Sequence, residues 1–260
     1  IYASDIDAYA GVPVESSSGS SGTDASHWDE ATFDDELMTG YIDSNNTVSN
    51  MTIAVLKDMG YATTYAPSCF CTGTLIQTPH GFKPIETLSA QDSVVTLDRG
   101  DQQIRLVSVE TFSQAHMAEN ERHRPIRIKQ GALGQDPDLP PLYLSPQHRI
   151  YVTGRPVLAE LGELSALVPI KDALEIQGIR RITPSQGVTY YHLIMDHHNI
   201  INANGIWCES FLRPSMMPAR KFVEGKDARK LIRKLRHSLQ QSGRLFAQDP
   251  YLDASIAIRT

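Results

Sequence analysis

Three features of the sequence predict a mainly β domain from Cys69 onward, with an α/loop segment before it and a helical tail after it. Short runs of β-branched and aromatic residues recur at close spacing. Turn chemistry such as Pro79-His80-Gly81 and Arg99-Gly100-Asp101 separates them, and no helical pattern alternates with them. The runs are GTLIQT, DSVVTLD, IRLVSVE, IRIKQ, LYLS, RIYVT and TYYHLIM. The polar stretches 117–124 (MAENERHR) and 135–141 (QDPDLPP) are expected to be exposed loops. Upstream, residues 16–24 (SSSGSSGTD) form a Ser/Gly-rich loop that cannot build a core. Residues 49–60 predict an amphipathic helix capped by Ser49 or Asn50, with Ile53, Leu56 and Met59 on one face and Gly60 ending it. Residues 62–68 (ATTYAPS) predict a linker. Downstream, 226–241 places Ala228, Leu231, Ile232, Leu235 and Leu239 at helical spacing with basic residues elsewhere. A docked terminal helix with a solvated basic face is expected, a partner or an anionic membrane surface being its other possible contact.

The bulk numbers exclude several classes. At 260 residues, the chain is long enough for one large or two modest domains, and 41% hydrophobic with 21% charged residues is ordinary globular composition. A formal net charge of −6 argues against non-specific nucleic-acid binding. No apolar run approaches the roughly 18 residues of a membrane helix. Three cysteines leave at least one thiol unpaired within a monomer.

The segment Cys69-Phe70-Cys71-Thr72-Gly73-Thr74-Leu75-Ile76 opens the β region. It continues through Thr78-Pro79-His80-Gly81, Ile85-Glu86-Thr87-Leu88 and Gln91-Asp92-Ser93-Val94. A second block is Leu144-Ser145-Pro146-Gln147-His148-Arg149, and a third runs from Tyr191-His192-Leu193 through His198-Asn199 to Ala203-Asn204-Gly205-Ile206-Trp207. In order and spacing these blocks resemble those of the Hint (hedgehog/intein) family over residues 67–212. That implies an all-β self-processing domain opened by a cysteine, with a threonine five residues later. Gln91 stands in place of a usual glycine, Ser145 in place of a threonine, and His192 where many inteins have aspartate.

The chemistry follows from the residues. A thiol at Cys69 can attack the carbonyl before it and turn the Ser68–Cys69 amide into a thioester, splitting one hard hydrolysis into easier steps. The amide nitrogen leaves only if protonated, and His148 is the candidate donor. Ser145 is expected either to orient that imidazole or to hydrogen-bond the scissile peptide. Cys71 is the rival nucleophile, but choosing it breaks the register with Thr74. Asp196 and His198 are candidates for tuning the site or for structural hydrogen bonding. Splicing inteins close with histidine and an asparagine that cyclises, whereas Cys208-Glu209-Ser210-Phe211 offers no such amide. The nearest asparagine, Asn204, is expected inside the closing strands. Cleavage without splicing is therefore expected, with the upstream polypeptide as substrate and no cofactor.

Residues 24–61 hold Ser26-His27-Trp28, Glu36-Leu37-Met38-Thr39-Gly40 and TIAVLKDMGY. They resemble the C-terminal part of leishmanolysin-type metzincin peptidases. The resemblance implies that His27 is a third zinc ligand, that Met38 forms the turn beneath the metal, and that the parent protein is secreted or on the cell surface. No H-E-x-x-H motif occurs in the chain, so zinc belongs to a longer precursor that retains the other ligands. The expected organisation is 1–66 peptidase fragment, 67–212 self-processing domain and 213–260 helical tail.

Overall fold

A computed structural model describes residues 68–212 and 216–242, with side chains as far as His237. The Ser/Gly loop, the 49–60 helix, His27, Met38 and most of the expected linker lie outside the described residues.

Two antiparallel sheets carry the fold. The first has six strands: β1 (Phe70–Cys71), β6 (Leu106–Phe112), β7 (Ile126–Ile128), β8 (Leu142–Leu144), β11 (Ile179–Arg181) and β12 (Val188–Ile194), in the order β11-β7-β8-β1-β12-β6. The second is built from β2 (Leu75–Thr78), β3 (Gly81–Pro84), β4 (Ser93–Thr96), β5 (Gly100–Gln103), β9 (Arg149–Thr153), β10 (Ser165–Pro169), β13 (Ile200–Ala203) and β14 (Ile206–Glu209). Each predicted run yields a strand, because its β-branched and aromatic residues fit a pleated, half-buried surface. Strand β12 shows the logic: Val188, Tyr190 and His192 alternate onto one buried face. Ile150, Val152, Ala166, Val168, Leu193 and Ile201 are fully buried and belong to the main core.

Several expectations need correction. Residues 117–124 are not a plain loop: helix α1 (Gln114–Glu119) runs into a 3-10 turn at Glu121–His123. Ser113 caps α1 by accepting from the His116 N–H at 3.1 Å, and Met117 is fully buried. A second helix, α2 (Arg155–Leu161), follows β9, with proline in its first turn and Gly162 ending it in the left-handed conformation. Asn204-Gly205 is not within a strand but forms the two-residue turn joining β13 and β14, both at positive φ (49° and 79°). Asn204 also accepts from the Leu75 N–H at 2.6 Å, tying that turn to β2.

The expected tail helix is α3 (Gly225–Ser242), and it is part of the core. Ala228, Leu231, Ile232 and Leu235 are buried in the main cluster together with Val223. On the other face Lys230 and Lys234 reach Glu160 of α2, and Arg229 holds the Asp172 carboxylate at 2.9 Å. The described apolar side chains of α3 thus pack into the domain. Among the described residues no helix is long and apolar enough to cross a membrane. Leu231→Ala should destabilise the domain by about 2–5 kcal/mol through cavity formation, read as a lower urea midpoint with an unchanged m-value. A change below about 0.5 kcal/mol would mean that α3 merely lies on the surface.

Candidate active site

Strand register assembles the site. Phe70 pairs with Tyr191 on one side and with Leu144 on the other, so Cys69 comes next to His192 of β12 and to Ser145 just past β8. The Cys69 N–H donates to Ser145 Oγ at 2.9 Å, and the Ser145 N–H donates to the Cys69 carbonyl at 3.0 Å. Ser145 therefore contacts the Ser68–Cys69 peptide through both its hydroxyl and its backbone N–H. Across the strand, Cys69 Sγ lies 3.3 Å from His192 Nε2, and His192 Nδ1 lies 3.0 Å from the Ser68 carbonyl oxygen. A carbonyl oxygen only accepts, so Nδ1 carries the proton and Nε2 faces the thiol with its lone pair. One imidazole therefore spans the nucleophile and the carbonyl it would attack.

His148 ends the Ser145–His148 turn, its N–H bonded to the Ser145 carbonyl at 3.1 Å. Its ring meets Phe70 edge-on, centroids 4.3 Å apart, and is fully buried; among the described residues neither ring nitrogen has a hydrogen-bond partner of normal geometry. Burial pushes the imidazole down to about 4; the Glu209 carboxylate and the Cys69 backbone act in the opposite direction. Near neutral pH the ring is therefore held neutral, and a proton it takes up is weakly held and readily given up.

Glu209, at the end of β14, completes the centre and is fully buried. Its Oε1 accepts from Ser68 Oγ, from the Arg149 N–H at 2.9 Å and from Arg149 Nη1 at 3.3 Å. Its Oε2 lies 3.3 Å from His198 Nε2. Burial opposes ionisation of this carboxyl, but the His198 hydrogen bond and the Arg149 charge more than offset it and hold the group below the usual carboxylate range. Arg149 in turn stacks on Phe222 at 3.9 Å and reaches Glu224 at 2.5 Å, while His198 Nδ1 accepts from the Ala219 N–H at 2.9 Å. Residues 219–224 thus support the centre from behind.

The remaining expected residues lie elsewhere. Thr74 Oγ1 donates to the Cys71 carbonyl at 2.7 Å and closes the turn between β1 and β2. Asp196 forms a fork with Arg105, closest approach 2.6 Å, at a half-exposed surface. Cys71 shares the buried face of Cys69, and burial pushes its thiol up, which disfavours the thiolate a nucleophile needs. His192 and Glu209 are the residues that sequence reasoning passed over as functional groups. Both stand where this chain departs from the splicing pattern, and a titratable substitute at such a position was the available signal.

These features define a Hint domain. The Hint-domain family model matches residues 68–215, more than half of the chain, and the chain belongs to that family. A leishmanolysin family model matches residues 5–68, so the two matches meet at Ser68. Among solved structures, the chain is similar to a bacterial intein-like domain from Clostridium thermocellum, at 13% identity, 55% of this chain, 97% of that one and a TM-score of 0.36. It is also similar to a variant of the Ssp DnaB mini-intein, at 15% identity, 58% of this chain, 99% of that one and a TM-score of 0.34. No curated protein matches at a significant level.

The leishmanolysin match implies zinc, and the residues of this chain do not fit a catalytic zinc. A catalytic zinc of that kind needs three histidines and a glutamate, of which the resemblance offers His27 alone, and the described residues hold no group of three or more His, Cys, Asp or Glu side chains placed for a metal.

The depressed His148 makes stability depend on pH. The folded protein binds this proton only near pH 4, while the unfolded chain binds it near 6.5. Stability is therefore undiminished above 6.5 and falls as pH drops from 6.5 to 4, by about 3 kcal/mol from this group. Comparing urea unfolding of the protein and of His148→Gln across that range should show the variant losing less. Parallel pH profiles would refute the assignment.

Proposed function

We propose that this Hint domain processes its own chain by an N-to-S acyl shift at Ser68–Cys69, releasing the leishmanolysin-like region upstream. One observation carries the reading: the Cys69 thiol and the Ser68 carbonyl oxygen are both bound to the His192 imidazole. As Sγ attacks the Ser68 carbonyl carbon, Nε2 takes the thiol proton, and the imidazolium so formed strengthens the Nδ1 hydrogen bond to the developing oxyanion. The S–C bond forms, the C–N bond breaks, and the Cys69 nitrogen leaves as an amine. Ser145 already holds that nitrogen; His148, once protonated from solvent, gives its proton to the departing amine, and His192 returns the proton it took from sulfur to solvent, so the net proton count is unchanged. Water or another nucleophile then resolves the thioester. The activity is a single turnover per chain.

Splicing does not follow. Ser210 has no amide to cyclise, and its hydroxyl accepts from the Asn199 N–H at 2.9 Å within the core. The released region would be a secreted or cell-surface peptidase, active where a longer parent chain completes the zinc site.

Incubation with dithiothreitol should release a fragment ending at Ser68, seen by intact mass, because added thiol intercepts a thioester. Cys69→Ala should abolish release, His192→Ala should slow it by about 10²–10⁴-fold, and Cys71→Ala should keep most of it. A folded chain that stays intact would instead mark the domain as a non-catalytic relic. With reporter proteins fused to both ends, the downstream reporter should stay attached; ligation of the two would disprove cleavage without splicing.

A further inference from the structure

We infer that Glu209 selects the side chain immediately upstream of the scissile bond, favouring a short hydrogen-bond donor and rejecting a carboxylate. The inference rests on the self-processing reading and adds to it a rule for which upstream sequences are accepted.

Ser68 is held at two points. Its carbonyl oxygen is bound by His192, and its hydroxyl donates to Glu209 Oε1. Two tethers on one residue fix both the side-chain rotamer and the direction of the carbonyl, which places the carbonyl carbon for attack before reaction begins. Oε1 is already bound by the Arg149 N–H and Nη1, and Oε2 faces His198 and Arg149, so the Ser68 hydroxyl meets a carboxylate fixed on its other sides. Glu209 cannot turn to suit another partner without breaking those contacts. A donor on a one-carbon stem matches the space. An apolar residue gives up one charge-assisted hydrogen bond. An aspartate puts a second negative charge against a buried carboxylate.

The test is the rate of dithiothreitol-induced release. Ser68→Ala should be about tenfold slower than the native chain, the loss expected for one hydrogen bond to a charged group. Ser68→Asn and Ser68→Asp have nearly the same shape, so their ratio isolates charge; Asn should be released at least about a hundredfold faster than Asp. In Glu209→Gln that ratio should fall to within about threefold, since a neutral amide can donate to the aspartate. Asn and Asp released at equal rates in the otherwise native chain would overturn the inference, whether or not Glu209→Gln folds. So would a ratio that persists in a folded Glu209→Gln protein, because the selection would then lie elsewhere. Failure of the native chain itself to cleave would overturn the self-processing reading and this inference with it.

Discussion

The structure depends on a strand of two residues. Strand β1 lies between β8 and β12 near the middle of a six-stranded sheet, hydrogen-bonded on both sides. A buried backbone must find partners for every N–H and C=O, so this segment has little freedom to shift. Its register with β12 sends Cys69 and His192 to one face, and its register with β8 brings Ser145 to the Cys69 amide. A one-residue slip would send Cys69 to the opposite face and dissolve the site without changing any residue in it. The Ser68–Cys69 bond lies immediately before β1, so the pairing of that strand on both sides fixes where the bond sits.

Around that strand the protein accepts an unfavourable choice, a buried carboxylate. An isolated charge in the interior would simply take up a proton. Glu209 stays ionised because Arg149 and His198 face it, and these two are held in turn by Phe222, Glu224 and the Ala219 N–H. The residues after the β domain are therefore part of the site. The buried face of α3 anchors this lead-in, linking ordinary apolar packing to the electrostatics at Ser68.

How much of this could be read from the chain follows from what each residue answers to. Strands such as RIYVT and TYYHLIM were legible because alternation and β-branching report burial directly. Strands β3 and β5 were not: GFKP and GDQQ are polar and largely exposed, and only their pairing with β2 and β4 makes them strands. Helix α1 was hidden because Met117 is its one buried apolar residue, too few to set a period. Cys69, Ser145 and His148 stood in recognisable blocks, and the structure brings their backbones and side chains together. Thr74 fitted the same blocks yet serves a turn, and Asp196 faces solvent beside Arg105, because spacing along a chain says nothing about which way a side chain points. His192 and Glu209 became meaningful only when the register set them on either side of Ser68.

The reach of these contacts along the chain has a consequence for timing. His192 lies 124 residues beyond the carbonyl it binds, and Glu209 lies 141 beyond the same serine. During synthesis the upstream segment emerges first, while the groups that would cut it away do not yet exist. No partial assembly places an imidazole on Ser68, because β12 cannot pair with β1 until nearly the whole domain has been made. On the proposed reading, a ribosome that stalled early would leave the upstream region joined to an inert stub, and severance would report that translation had passed residue 209 and that both sheets had closed.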